Sequence, residues 1–198
     1  MAILNAISME DEHIDFVVSI LTSEKNKAAL HPANRNLTEW HEVFTKNLTD
    51  PDEANFIICK DSYPVAWLKI NGLQTGELQT SESQTAGIQA NELQSDGDNA
   101  CPNPDLIRQS DIIKAWIAML VVGEYCQRQG IGSYAVRYAE DFVRSKGFKI
   151  LGIHTTIENV AAQRCYKKLG YRIHEEGECT TGDGVTRYGL SLHRVLEY

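Results

Sequence analysis

Past the middle of the chain, residues 112–122 (IIKAWIAMLVV) form a near-continuous apolar run. A run of that kind predicts a strand buried on both faces, at the centre of a sheet. It ends in a polar segment with three glycines, GEYCQRQGIG at 123–132. Beyond it, Ile131, Ala135, Tyr138, Ala139, Phe142 and Val143 fall on one helical face, and Gly147 stands where such a helix closes. Strand, glycine turn and helix form the nucleus around which the rest must be arranged. N–H groups at a helix start lack intrahelical partners and carry the positive end of the dipole, so they bind phosphate. Glycines let the main chain approach such a group without a Cβ in the way. Gln127, Arg128, Gln129, Gly130, Ile131, Gly132 and Ser133 are therefore a candidate phosphate cradle, with Arg128 adding charge.

The flanking sequence reads as further strands and helices. Residues 2–7 suit a short strand. Ser8, followed by acids at 10–12, suits a helix start, with Val17, Val18 and Leu21 on one face. Asn36 and Glu39 have capping-box spacing, and Trp40, Val43, Phe44 and Leu48 line the buried side of the helix they open. Strands at 55–60 and 65–71 flank the turn residues DSYP. After the nucleus come a strand at 150–156, a helix at 158–169, and strands at 171–179 and 185–193 around Gly-Asp-Gly. The expected order is β-α-α-β-β-(insert)-β-α-β-α-β-β.

The insert is residues 72–107. It holds five tandem pentapeptides (LQTGE, LQTSE, SQTAG, IQANE, LQSDG) over 73–97, each with Gln in second place. A period of five matches neither a strand nor an α-helix. Five units are too few to bury a solenoid core. The stretch reads as a mobile, low-complexity insertion at a hairpin tip, within a single domain spanning 1–198.

Several function classes drop out. No apolar run approaches the ~20 residues of a membrane span, and the first residues lack the pattern of a signal peptide. Five dispersed cysteines with no C-x-x-C pair argue for reduced thiols, not disulfides or structural zinc. A soluble cytoplasmic protein without a metal is expected. The net charge is −8, split between −11 over residues 1–112 and +3 over 113–198. Such a balance disfavours nucleic acid and suits a cationic acceptor in front with a phosphorylated ligand behind.

The turn alone admits two ligands. Gly130-Ile-Gly-Ser-Tyr-Ala135 matches G-x-G-x-x-A, the dinucleotide fingerprint of NAD(P) enzymes. That fingerprint wants an acid at the end of the next strand, and the next strand here ends in His154-Thr-Thr. A second motif then bears on the choice: Asn159-Val-Ala-Ala162-Gln-Arg-Cys-Tyr166-Lys-Lys-Leu-Gly170-Tyr171. Together the two motifs resemble the GCN5-related N-acetyltransferase superfamily, with its Q/R-x-x-G-x-G/A loop and its N-x-x-A-x-x-x-Y-x-K-x-G-F/Y segment. The resemblance is carried by residues 115–171, and the insert has no counterpart in the pattern.

The resemblance implies a fold, a reaction and a site. The fold is α/β: a mixed, mostly antiparallel sheet of six or seven strands flanked by about four helices. The reaction is direct transfer of acetyl from acetyl-CoA to a primary amine, of a small molecule or a peptide. Two adjacent parallel strands, 115–122 and 150–156, would splay to admit the pantetheine arm. Main-chain groups near Leu120 and Val122 would hold that arm and polarise the thioester, with Asn159 as a further partner. The amides of Arg128 to Ser133 would take the pyrophosphate, and Tyr166 would protonate the departing thiolate. His154 is the candidate base, since an imidazole titrates near neutral pH. Members often form homodimers. A non-catalytic acyl-CoA-binding relative would keep the loop without needing Tyr166.

Overall fold

The computed structural model of the chain describes residues 2–74 and 114–196. β1 (Leu4–Ser8) leads into α1 (Ile14–Leu21), α2 (Glu24–Leu30) and α3 (Leu37–Leu48), followed by β2 (Ala54–Lys60) and β3 (Tyr63–Asn71). The central strand β4 (Lys114–Val122) feeds α4 (Ile131–Ser145), then β5 (Ile150–Thr156), α5 (Val160–Lys168), β6 (Arg172–Thr180) and β7 (Thr186–Val195). Among the described residues, seven strands and five α-helices make the mixed α/β architecture expected. From residue 75 onward the pentapeptide repeats lie outside the described residues. On either side of them, β3 and β4 pair directly, with Asn71 opposite Trp116.

Two local expectations need correction. Ser8 does not open a helix: it ends β1, paired with Phe56 of β2, and α1 begins only at Ile14 after a 3-10 turn over Asp11–His13. Ladder bonding overrides the capping preference of serine here. The short α2 has no counterpart in the periodicity, because its only buried residue is the polar Asn26. The box at α3 forms as the spacing requires. Glu39 N–H donates to Asn36 Oδ1 at 3.0 Å, and Asn36 N–H donates to the Glu39 carboxylate at 2.8 Å.

The sheet order is β1-β2-β3-β4-β5-β7-β6, and every neighbouring pair is antiparallel except β4 with β5. One face packs Ala115, Ile117, Leu151, Ile153, Leu190 and Leu192 against apolar residues of α4 and α5. The other packs Ile57, Trp67 and Val121 against α1 and α3. Because β4 is covered on both faces, it reads as a continuous apolar run. A part-buried ion pair closes the first layer. Arg194 of β7 donates to the Glu140 carboxylate of α4 at 2.9 Å and to the Leu169 carbonyl at 2.6 Å.

Candidate active site

The parallel pair is short. β4 and β5 are in register only from Lys114–Ile150 to Ile117–Ile153. Beyond that point β4 continues beside β3 and β5 continues beside β7, so their facing edges part. The divergence coincides with a bulge: Ile70 faces Ile117 while Lys69 faces Met119, which makes Ala118 the extra residue. Bulges bend a strand and end regular pairing. A cleft of about 550 Å³ occupies the gap. Its lining comes from both sides of the sheet, with Tyr166 and Asn159 from the α5 side and Ala29 and Leu30 of α2 from the other.

Strand alternation decides which main-chain groups face the gap. Gly123 N–H donates to the Val65 carbonyl of β3 at 2.9 Å, which makes Gly123 and Val121 the residues bonded toward β3. The N–H and C=O of Leu120 and Val122 then point to the opposite side, toward the gap. The Val122 carbonyl is already engaged, accepting from Asn26 Nδ2 at 3.0 Å and Gln127 Nε2 at 3.2 Å. The main chain of Leu120 and the N–H of Val122 are the groups presented there.

The glycine turn follows directly. Gly130 caps α4 at φ +83° and supplies no side chain to its N–H groups. A left-handed residue followed by a helical one turns successive N–H groups onto one concave side, an anion-binding arrangement. Arg128 also lies in the left-handed region, at φ +60°, with its side chain exposed. The side chains of Gln127 and Gln129 serve the loop itself. Gln127 Nε2 donates to Asn26 Oδ1 at 2.9 Å; Gln129 Nε2 donates to the Tyr125 carbonyl at 3.0 Å and its Oε1 accepts from Lys60 Nζ at 2.7 Å. Gly132 stands beside Val122, and Ser133 Oγ lies 3.6 Å from Cys165 Sγ, linking the start of α4 to the middle of α5. Ile131 is buried beneath the turn.

Asn159 caps α5, with Oδ1 accepting from Ala162 N–H at 3.2 Å, and borders the cleft. Tyr166 lines the cleft while 7% exposed, and its burial drives the phenol pKa far above the ordinary range. His154 lies across the gap, its ring stacked on Trp116 at 4.4 Å. The surrounding protein lowers its pKa, with Glu175 pulling the other way. Gly152 makes that stack feasible, since a Cβ there would come within 2.3 Å of the Trp116 ring. Trp67 is a core residue, and Glu124 takes a structural role. The Ser23 hydroxyl and the Lys25 N–H hydrogen-bond its carboxylate and lower its pKa.

Sequence reasoning missed four contributors. Asn26, 5% exposed, braces the end of β4 and the turn from a helix with no readable period. Thr156, 8% exposed, lines the cleft with a hydroxyl that has no hydrogen-bond partner among the described residues. Glu175 and Ser191 reach the cleft only through strand pairing. The acids clustered at 175, 176 and 178 in the β6 sequence are the one visible trace of this.

A sheet split at one parallel pair, with a phosphate-type turn after the splayed strand, defines the acyl-CoA-dependent acetyltransferase fold. It is not the all-parallel, doubly wound sheet that the dinucleotide fingerprint requires. The sequence matches the model of the acetyltransferase (GNAT) family over residues 14–171. The chain belongs to that family. A spermidine N-acetyltransferase from Vibrio cholerae, solved with CoA and spermine, superposes with a TM-score of 0.70 at 11% identity, covering 98% of this chain and 95% of that one. An aminoglycoside acetyltransferase solved with coenzyme A gives 0.65 at 16% identity, with coverage of 98% and 95%. In sequence, a 71-residue stretch is 34% identical to GCN5-related N-acetyltransferase 6, chloroplastic, of Arabidopsis thaliana. That stretch is 36% of this chain and a quarter (25%) of the plant protein.

Proposed function

We propose that this chain transfers acetyl from acetyl-CoA to a primary amine of a small cationic acceptor, within one ternary complex. The observation that carries the reading is the β4–β5 gap, whose parted strands open on a cleft lined by Leu120, Asn159 and Tyr166, with the uncapped start of α4 following on the turn after β4. The described residues fit the co-substrate. The N–H groups from Arg128 to Ser133 would hold the pyrophosphate, while Leu120, Val122 and the Asn159 amide would hold the pantetheine arm. Acetyl-CoA supplies an activated acyl carbon and a thiolate leaving group.

This chain's own groups do the rest. The Val122 and Leu120 N–H groups are fixed dipoles aimed where negative charge would grow on the carbonyl oxygen, a contribution of several kcal/mol in comparable sites. With its pKa raised, Tyr166 keeps its proton throughout the physiological range and serves as a donor at the sulfur. With its pKa lowered, His154 is neutral near pH 7 and accepts the proton that an ammonium must lose before nitrogen can attack. Among the described residues, the cleft lining includes Glu175, Glu176 and Glu178 and no Lys or Arg, which favours a cationic acceptor. The structural neighbours that act on spermidine and on aminoglycosides point the same way. No described helix is long and apolar enough to cross a membrane. A cytoplasmic site of action is supported by the dispersed cysteines.

The test is release of free thiol from acetyl-CoA across a panel of amines, with binding of acetyl-CoA and NADH titrated side by side. Acceleration by a cationic amine together with tighter binding of acetyl-CoA is the expected result. Tighter binding of NADH, or no acceleration by any amine, overturns the reading. The second outcome with acetyl-CoA still bound would leave a non-catalytic acyl-CoA-binding protein.

A further inference from the structure

Strand pairing sets three cleft residues in one row. Ser191 of β7 lies opposite His154 of β5 on one side and opposite Glu175 of β6 on the other. Directly paired residues share a face of the sheet. That face is the one opposite α4 and α5, because the alternate residues Ile153, Leu190 and Leu192 pack with those helices. All three residues line the cleft, and Thr156 joins them on the same face two positions beyond His154. The Thr156 hydroxyl is buried and unpartnered among the described residues, so the cleft already holds a polar group waiting for a hydrogen bond. Two strand spacings separate His154 from Glu175, about 10 Å from backbone to backbone.

We infer that Glu175 selects the acceptor: the substrate is a linear diamine or polyamine, with one nitrogen at His154 and Thr156 and a second ammonium held by Glu175. This rests on the acetyl-transfer reading above and extends it. The other charges around the row leave this task to Glu175. Asp183, in the turn after β6, is already bonded twice to Arg187, at 2.7 and 2.8 Å. Trp116 occupies one face of the His154 ring, and α2 contributes the apolar Ala29 and Leu30. His193 is engaged with Ser191 at 3.3 Å and stacks on His174 at 4.3 Å. Glu176 and Glu178 also line the cleft, but they pair with Leu190 and Tyr188 and so belong to the other face of β6, outside the row. The competing explanation for acids on β6 is protection of an exposed sheet edge. It makes no demand on the substrate.

The experiment compares kcat/KM for 1,5-diaminopentane and 1-aminopentane, by thiol release, in wild type and in Glu175→Gln. The wild type is expected to prefer the diamine, and the substitution should lower the diamine-to-monoamine ratio about tenfold, the worth of one charge-assisted contact. Glu175→Asp should recover part of it. Because Glu175 is exposed, the wild-type ratio should fall as salt rises, and the Gln variant should lose that dependence. Thermal melts of the variants check that each is folded. Equal ratios in wild type and Glu175→Gln, with both amines acetylated, overturn the role of Glu175 and leave acetyl transfer standing. Release of thiol with neither of these amines, nor with any other in the panel, overturns the acetyl-transfer reading itself.

Discussion

Burial pushes the Tyr166 hydroxyl up and the environment of His154 pushes its imidazole down, so each is held in the protonation state its proposed task requires. A phenol of raised pKa donates a hydrogen bond to a growing thiolate without being ionised beforehand. Replacing it with phenylalanine removes the donor and little volume. Tyr166→Phe is expected to lower kcat about 100-fold and to leave the KM for acetyl-CoA within a few-fold, measured by thiol release. For His154 the sign follows from the direction of the shift. In the proposed role the neutral imidazole is the active form, and its folded pKa is depressed, so kcat/KM should rise with pH through a midpoint below the ordinary histidine value. His154→Gln should abolish that rise and lower kcat, as a pH–rate profile of both proteins would reveal. A profile that keeps its acidic limb in the variant would assign the titration to another group.

At the scale of elements, the proposed phosphate cradle is braced by a helix outside the turn itself. Asn26 of α2 donates to the Ile20 carbonyl at 2.7 Å and to the Val122 carbonyl, while its Oδ1 receives Gln127. It thereby ties α1, the end of β4 and the turn together. Leaving the Val122 carbonyl and Gln127 short of a partner costs about 1–3 kcal/mol. Asn26→Ala should therefore lower stability by about that amount in denaturant melts and raise the KM for acetyl-CoA by several-fold. A variant that melts lower with that KM unchanged would separate bracing of the fold from bracing of the turn. The cap at Asn36 was legible for a plain reason: it acts on backbone within three residues of itself. Asn26 was not, because its partners lie six, 96 and 101 positions away.

At the scale of the whole molecule, residues 71 and 116 are brought opposite one another by the β3–β4 ladder. A chain whose ends are already adjacent needs only a short turn there, and loop closure then costs little. Replacing residues 75–112 with a short Gly/Asn turn should keep the thermal midpoint within a few degrees and preserve acetyl-CoA binding, by calorimetry and titration. A large fall in midpoint would make the repeat segment part of the fold. The order of strands around the nucleus, the glycine turn, Asn159 and Tyr166 were all written in local pattern, because periodicity, caps and motif spacing act over a few residues. The one parallel pair that breaks after four residues, and the row that carries His154 beside Ser191 and Glu175, were decided only when β7 inserted between β5 and β6. Pairing partners are chosen by burial across the sheet, and no short stretch of sequence records which edge another strand will take.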